Sequence, residues 1–183
     1  TQAAARGGIT SIVDMPLNSL PPTTSVPAFE EKLDAARGQL AVDVGFWGGV
    51  VPGNHRQLEA LIDRGVLGFK CFLIDSGVPE FKNVDDKHLD RALAILSEAR
   101  VPLLTHAELQ KPIDDNAAHL RALEDAGLDH RSYRWHLESR PNAAEDAAVA
   151  LMIGMCRKHK ARVHIVHHSS SSALPLIERA RDE

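Results

Sequence analysis

The amino-acid sequence predicts an α/β protein with a parallel β-sheet. Short apolar runs rich in Val, Ile, Leu and Phe alternate along the chain with amphipathic segments of helical periodicity. The apolar runs are continuous instead of alternating with polar residues, which is typical of parallel strands covered on both faces. With 183 residues, of which 44% are hydrophobic and 25% charged, the chain is long enough for one sizeable domain or for part of a larger one.

Five strands and five helices are predicted, and helices separate each strand from the next. The predicted strands are 10–14, 42–50, 66–73, 101–105 and 163–166. The predicted helices are 28–37, Asn54 to near Gly65, Asp85 or Asp86 onwards, Asp114 to Gly127, and 143–159. Asn142, with Glu145 three residues later, is interpreted as a capping box at the start of the last of these helices.

Repeated strand–helix units leave two main architectures, a doubly wound sheet and a (β/α)₈ barrel. No GxGxxG or GxxxxGK[ST] motif follows any predicted strand, so a nucleotide-binding doubly wound sheet would lack its phosphate loop. A complete barrel needs eight strands and roughly 250 residues. We therefore expect a partial barrel, with about strands two to six present. Residues 1–183 would form its central part, and the first strand and the last two would lie outside the chain.

Polar residues mark the ends of three predicted strands. Lys70 lies within the apolar run Gly-Phe-Lys-Cys-Phe-Leu, where a buried ammonium requires either a partner or loss of its charge. The next strand leads into His106 and the last into His167. A lone buried histidine is usually a hydrogen-bonded core residue, and a lysine can extend to the surface. Because all three residues fall at the same end of their strands, a shared site is favoured, and imidazoles are common metal ligands.

Several segments resemble the cyclic amidohydrolases, and within that family the allantoinases. These segments are 7–19, 68–78, 106–108, 139–141 with Glu145, and 164–169. Met-Pro-Leu-Asn-Ser and Phe-Lys-Cys-Phe are similar to allantoinases more than to hydantoinases and dihydropyrimidinases, which typically carry a tyrosine a few residues after the lysine. The resemblance covers essentially the whole chain and implies a barrel of the metal-dependent amidohydrolase type.

The resemblance also implies a metal centre and a reaction. Lys70 would be carboxylated to a carbamate that bridges two divalent metal ions, and His106 and His167 would be ligands of one of them. Zinc is the expected metal, although these ligands suit manganese, cobalt and iron as well. The implied reaction is hydrolysis of the cyclic amide of allantoin to allantoate, in purine catabolism. The metals would activate water and polarise the amide carbonyl.

Part of that centre is expected to lie outside this chain. The family's other ligands, a His-x-His pair on the first strand and an aspartate on the eighth, are expected to lie before Thr1 and beyond Glu183, so the segment alone is expected to be inactive. Two alternatives to an allantoinase remain. One is a cyclic amidohydrolase acting on hydantoins or dihydropyrimidines, and the other is a non-catalytic homologue that uses the barrel for assembly. The resemblance further implies a homo-oligomer, specifically a homotetramer.

Four further polar residues near these strand ends have open interpretations. Asn18 follows the first predicted strand and either contacts substrate or shapes its loop, the second being preferred. Glu108 either orients His106 or is an ordinary carboxylate at a helix start. His164 and His168 are interpreted as structural or supporting residues, because alternation along the strand separates His164 from the position expected of a ligand.

Charge and composition exclude several classes of partner. A formal net charge of −4 without a basic cluster argues against nucleic acid. No apolar run reaches the roughly 18 residues of a membrane span, and no signal peptide is visible. The two cysteines, Cys71 and Cys156, form no CxxC pattern and are expected to be reduced. The predicted location is therefore the cytoplasm, with a small molecule as the partner.

Overall fold

The computed structural model describes all residues, Thr1–Glu183, and shows parallel strands joined by helices. The strands are β1 Ser11–Asp14, β2 Asp43–Phe46, β3 Gly48–Gly49, β4 Phe69–Phe72, β5 Leu103–His106 and β6 Val163–Ile165. The helices are α1 Gln2–Arg6, α2 Val26–Ala36, α3 Leu58–Arg64, α4 Asp86–Glu98, α5 Gln110–Asp115, α6 Ala117–Asp125, α7 Tyr133–Ser139, α8 Asn142–His159 and α9 Leu174–Arg181. Short 3₁₀ turns cover Asn54–Gln57 and Ser171–Ala173. None of the helices combines the length and hydropathy that a membrane crossing requires.

All strand pairs are parallel, and the strands follow one another in chain order. One sheet has the order β1-β2 and the other the order β3-β4-β5-β6. The single strand predicted at 42–50 is divided into β2 and β3 at Trp47. The Trp47 N–H donates to the carbonyl of Asp14 at 2.9 Å, whereas the Gly48 N–H donates to the carbonyl of Gly68 at 2.9 Å. The strand therefore changes partner at this point, and the predicted parallel α/β architecture is confirmed.

The two faces of the central strands have different surroundings. On one face, Phe69, Cys71 and Leu103 are fully buried and join the main hydrophobic core against the helices. Three leucines of α4 belong to the same core: Leu89, Leu93 and Leu96. Alternation along the strands puts Lys70 and Leu104, which are register partners, on the opposite face. The site described below is built on that opposite face.

Two of the predicted helix starts are confirmed by their caps. The Ala28 N–H donates to Oγ of Ser25 at 3.4 Å at the start of α2. In α4 the cap is Asp85, whose Oδ1 accepts the His88 N–H at 2.9 Å, so that Asp86 is the first helical residue. These short polar side chains satisfy amide groups that the first helical turn leaves without intrahelical partners.

The predicted helix from Asp114 to Gly127 is wrong in its extent. Helix α5 begins earlier, at Gln110, and is separated from α6 at Asn116. The Asn116 side chain donates to the carbonyl of Glu138 at 2.6 Å, at the end of α7. Helix α7 itself was not predicted; it begins with the Trp135 N–H donating to Ser132 Oγ at 3.1 Å. A contact between helices therefore interrupts a segment whose local pattern favours a single helix.

The predicted capping box at Asn142 is also wrong. Helix α8 begins at Asn142, but its cap residue is Pro141, and no side chain caps it. Glu145 does not bind the backbone of its own helix start. Its carboxylate instead accepts the backbone N–H groups of Ser169 and Ser170, in the loop that follows β6. The Glu145 carboxylate, which the local pattern predicts to cap the helix, thus binds a loop that is distant in the chain.

Candidate metal centre

Two histidines from neighbouring strands meet at the carboxyl edge of the sheet. His106 is the last residue of β5, and His167 follows the end of β6 by two positions. Nδ1 of His106 lies 3.2 Å from Nε2 of His167, although the residues are 61 positions apart in the chain. The two rings meet edge to face, with centroids 4.7 Å apart and planes at 64°. Two ring nitrogens therefore point into the same small volume.

The position of His167 depends on a local change of backbone direction. The β5–β6 register pairs Leu104 with His164 and Thr105 with Ile165, so the next pair on the His106 face would be Val166. Simple alternation would direct His167 to the opposite face. His167 has a φ of 39°, in the left-handed region that non-glycine residues rarely adopt. This departure from strand geometry accompanies the approach of its imidazole to His106.

Lys70 lies on the adjacent strand and has no partner within the chain. It is 7% exposed, and its ammonium forms neither a hydrogen bond nor an ion pair. Burial therefore lowers the pKa of Lys70 from its usual range. Nζ lies 4.9 Å from the ring centre of Phe72, and the same ring stacks on His106 at 4.8 Å and 17°. The Phe72 ring thus lies between the Lys70 ammonium and the His106 imidazole and contacts both.

Glu108 contacts His106 on the side away from His167. Its Oε2 is 3.4 Å from His106 Nε2, and its Oε1 accepts a hydrogen bond from Nη1 of Arg140 at 2.9 Å. A proton on Nε2, donated to this carboxylate, leaves the Nδ1 lone pair directed towards His167. Burial lowers the pKa of His106, more than the hydrogen bond to Glu108 raises it. The net result favours a neutral imidazole with Nδ1 free to bind.

A cavity of about 500 Å³ opens beside the two histidines. Its walls include Phe72, His106, Glu108, Arg140, Glu145 and His167. Lys70 does not line this cavity and is reached past Phe72. Arg140 and Glu145 lie in segments that resemble the family; the sequence predicted no role for Arg140, and for Glu145 only a capping role. Their roles depend on contacts with Glu108 and with the loop after β6, which lie far away in the chain.

The remaining predicted residues lie in three different environments. Asn18 is exposed in the loop after β1, with a φ of 63°, and does not line the cavity; its contact with substrate stays a prediction. His164 is exposed. His168 is largely buried, and neither of its ring nitrogens has a hydrogen-bond partner. Its Nδ1 lies 3.9 Å from Glu145 Oε2, beyond hydrogen-bond distance.

The spacing of the donors fits part of a metal site. Two imidazole nitrogens bound to one tetrahedral zinc ion, each at its usual bond length, would lie about 3.3 Å apart. The observed separation of 3.2 Å agrees with this value. The chain holds no cluster of three or more His, Cys, Asp or Glu side chains that could bind a metal ion. The histidine pair therefore needs further ligands to complete a metal site.

Comparison of the sequence with known proteins finds relatives along its whole length. No protein-family model matches the chain. It is 50% identical over 184 residues to the mitochondrial allantoinase of Aquarana catesbeiana, a match that covers 100% of this chain and 36% of the relative. It is 45% identical to the allantoinase of Saccharomyces cerevisiae, over 99% of this chain and 38% of the relative. The chain thus spans less than two fifths of the length of these relatives.

Solved structures of related enzymes share the same fold. The L-hydantoinase of Arthrobacter aurescens superposes with a TM-score of 0.86 at 31% identity, over 99% of this chain and 39% of that protein. The D-hydantoinase of Bacillus sp. AR9 superposes with a TM-score of 0.79 at 28% identity, over 100% of this chain and 39% of that protein. The chain is thus similar along its whole length to allantoinases, and in its fold to hydantoinases of known structure.

Proposed function

We propose that the full-length protein containing this chain hydrolyses the cyclic amide of allantoin to allantoate at a dinuclear metal centre. The observation that carries the proposal is the convergence of His106 and His167, with the buried Lys70 on the adjacent strand and in contact with the Phe72 ring that stacks on His106. Relatives named allantoinase, at 45 to 50% identity, support allantoin as the substrate. Zinc is the proposed metal, because the spacing of the two nitrogens suits a tetrahedral ion.

Members of the family are generally dinuclear metal enzymes, and the donors described here would supply part of such a centre. His106 would bind one ion through Nδ1 and His167 through Nε2. Lys70, as a carbamate, would supply oxygen ligands to the centre. When bound, the metals would activate water for attack on the amide carbonyl and polarise that carbonyl.

The environment of Lys70 suits carbamate formation. Burial lowers its pKa and so favours the neutral amine, which is the nucleophilic form. In this step the amine nitrogen attacks the carbon of carbon dioxide and a nitrogen–carbon bond forms. One carbon–oxygen π bond breaks, its electron pair remains on the oxygen, and one proton passes from the nitrogen to water. The product is an anion with two oxygen atoms and replaces a cation that has no partner in its site.

The other residues of the site orient the metal-binding side chains and line the substrate pocket. Arg140 fixes the carboxylate of Glu108, and Glu108 in turn fixes the tautomer and orientation of His106. The adjoining cavity of about 500 Å³ has the size expected for a small-molecule site. Its walls carry both cationic and anionic groups, which suits a polar ring substrate rich in amide groups.

The proposal is tested by assaying purified full-length protein, loaded with zinc, on allantoin, hydantoin and dihydrouracil. Highest turnover is expected on allantoin. Preference for hydantoin or dihydrouracil would instead identify one of the related activities, which the structural similarity to hydantoinases keeps open. Metal binding without turnover of any of the three would contradict the proposal and favour a non-catalytic assembly protein.

The proposal includes a homo-oligomer, specifically a homotetramer, on the strength of the family resemblance alone. Light scattering of the full-length protein measures its molar mass directly. A mass of four subunits is expected. A monomer that turns over allantoin normally would contradict this part of the proposal and leave the assigned reaction unchanged.

A further inference from the structure

Two consecutive acidic residues in the first turns of α8 bind the loop that follows His167. Glu145 and Asp146 together accept hydrogen bonds from backbone and side-chain groups in the loop 169–172. These contacts join positions that lie 24 to 26 residues apart in the chain. None of them is needed to form α8, because the helix begins at Pro141 and Asn142 without side-chain capping.

Glu145 acts on the backbone of the loop. The Ser169 N–H lies 3.2 Å from both carboxylate oxygens, and the Ser170 N–H donates to Oε2. A carboxylate that accepts two successive backbone N–H groups fixes the direction of the peptide planes between them, and such charge-assisted bonds are stronger than neutral ones. The same side chain lines the cavity next to His106 and His167. It therefore lies between the helix and the site.

Asp146 acts on the side chains of the same loop. Its Oδ1 accepts from Ser170 Oγ at 3.0 Å, and its Oδ2 accepts from Ser172 Oγ at 2.6 Å. The two hydroxyls are themselves 2.6 Å apart. Ser170 is 4% exposed, so its polar groups are satisfied almost entirely by these two acids and by Ser172. The loop is thus held at two successive points.

His167 stands immediately before this loop and has a backbone conformation that requires support. Its φ of 39° is unfavourable for a residue with a Cβ, and such conformations persist where the surroundings hold them. Ser169 Oγ also donates to the His167 carbonyl at 3.3 Å, so the fixed loop and the histidine backbone are directly joined. We infer that Glu145, assisted by Asp146, is a positioning residue that holds His167 in the left-handed conformation and thereby directs Nε2 towards His106 Nδ1.

Glu145 forms its hydrogen bonds with the loop 169–172 and not with the neighbouring His168. Nδ1 of His168 is 3.9 Å from Glu145 Oε2, whereas the two serine N–H groups are within hydrogen-bond distance. The inference rests on the proposed function only in treating His167 as a metal ligand. The position of His167 itself is measurable without metal and without substrate.

The test compares variants of the full-length protein by crystal structure and by zinc affinity, measured in competition with a chelator. Glu145→Ala is expected to release His167 from its φ near 39° and to lengthen the separation of the two imidazole nitrogens beyond 3.2 Å. Zinc Kd is expected to rise roughly 10–100-fold, the usual effect of removing a residue that orients a ligand. Glu145→Gln retains one oxygen acceptor and should show a smaller rise, as should Asp146→Asn.

The matched control is Glu98→Gln, at an exposed acidic residue at the end of α4 that forms no hydrogen bond or ion pair. It should leave the Kd and the His167 conformation unchanged. An altered melting temperature of the metal-free Glu145 variants, with unchanged Kd and unchanged His167, would show a purely structural role and overturn the inference. Because Glu145→Gln is the milder change, the same outcome there overturns the inference even if Glu145→Ala does not fold.

The readouts also separate this inference from the proposed function. Wild-type protein that binds zinc without hydrolysing allantoin contradicts the function, while a rise in Kd in Glu145→Ala still supports the positioning role. Conversely, normal allantoin turnover together with an unmoved His167 in Glu145→Ala overturns the positioning role and leaves the function in place.

Discussion

Arg140 and Glu108 form an ion pair beside the candidate metal centre, with Nη1 2.9 Å from Oε1. The pair leaves the second carboxylate oxygen of Glu108 directed to His106 Nε2, at 3.4 Å. A residue in the segment after α7 thus acts on the orientation of a β5 histidine through a carboxylate that is only 15% exposed.

The role of Glu108 leads to a prediction about metal affinity. Glu108→Ala should raise the zinc Kd of the full-length protein roughly 10–100-fold, because His106 loses the acceptor that fixes its tautomer. Arg140→Ala should have a smaller effect in the same direction, since the carboxylate remains. Chelator competition measures both, with Glu80→Gln, an exposed residue without a partner, as control. Equal affinities in all three variants would show that Glu108 does not orient His106.

Lys70 is expected to be indispensable for the metal centre. Lys70→Ala should lose bound zinc and allantoin turnover, because it removes the side chain proposed to carry the carbamate oxygens of the centre. Short carboxylic acids, which can occupy the vacated space, should restore part of the activity. Lys87→Ala, at an exposed lysine on α4, is the control. A Lys70→Ala protein that keeps two zinc ions per chain by elemental analysis would contradict the assignment.

Two glycines should respond in opposite directions to substitution by alanine. At Gly68, a Cβ would lie 2.6 Å from the Pro102 carbonyl oxygen, which also accepts the Phe69 N–H at 2.9 Å and cannot shift freely. Gly68→Ala should therefore destabilise by about 1–3 kcal/mol. At Gly154, within α8, a Cβ would meet no atom within 4 Å. Gly154→Ala should stabilise by about 0.5–1 kcal/mol.

Urea unfolding of the full-length variants measures both glycine effects. The Gly68 result depends on the close approach of two strands, and the Gly154 result depends only on helix propensity. Loss of stability at both positions would show that helix propensity does not decide the effect at Gly154. Unchanged stability in Gly68→Ala would show that β4 and the Pro102 segment can separate at little cost.

Asp90 is predicted to stabilise the contact between α4 and α8 in a pH-dependent manner. Its carboxylate accepts hydrogen bonds from Lys158 and, at 2.7 Å, from His159. The bond from Lys158 is the main cause that lowers the pKa of Asp90 below its usual 3.8. A carboxyl whose pKa is lowered by folding stabilises the protein above its unfolded value and loses that effect as the pH falls through its folded value.

The melting temperature of Asp90→Asn should therefore lie below that of the wild type at neutral pH, and the difference should shrink as the pH falls below 3.8. The effect should be small and should weaken with added salt, because the carboxylate is exposed. Asp125→Asn, at an exposed residue at the end of α6 without a partner, is the control. A difference that is constant from neutral pH to about pH 2 would exclude this contribution.

Local sequence patterns were sufficient to find a strand in each predicted range, although 42–50 holds two, and to place Lys70 and His106 on neighbouring strands. His106 ends β5 as predicted, whereas Lys70 is the second of the four residues of β4. Both residues follow from continuous apolar runs and from the rule that parallel strands share a carboxyl edge. The approach of His167 to His106 does not follow from these rules, because strand alternation directs it to the other face. It depends on a left-handed residue and on the loop that follows it. The sequence predicted a shared site from the common strand end and from the family resemblance, but not the backbone conformation that brings the two rings together.

The errors in the predicted helices have one common cause, which is a contact with a distant part of the chain. Glu145 has the spacing of a capping box but binds Ser169 and Ser170 instead. Asn116 lies within a segment of helical pattern but donates to Glu138, and the helix is interrupted there. Capping and helix patterns consider only hydrogen-bond partners that are close in sequence. They cannot predict a partner that the tertiary structure brings close from a distant part of the chain.

The ring of Phe72 is a shared wall between the Lys70 amine and the His106 imidazole. Any change in the size or polarity of this ring alters the surroundings of both groups simultaneously. Substitutions at these three positions should therefore be non-additive, as is usual for residues in direct contact. For the evolution of the site this means epistasis: the amine and the imidazole cannot adapt independently to a new metal or substrate while one phenyl ring connects them.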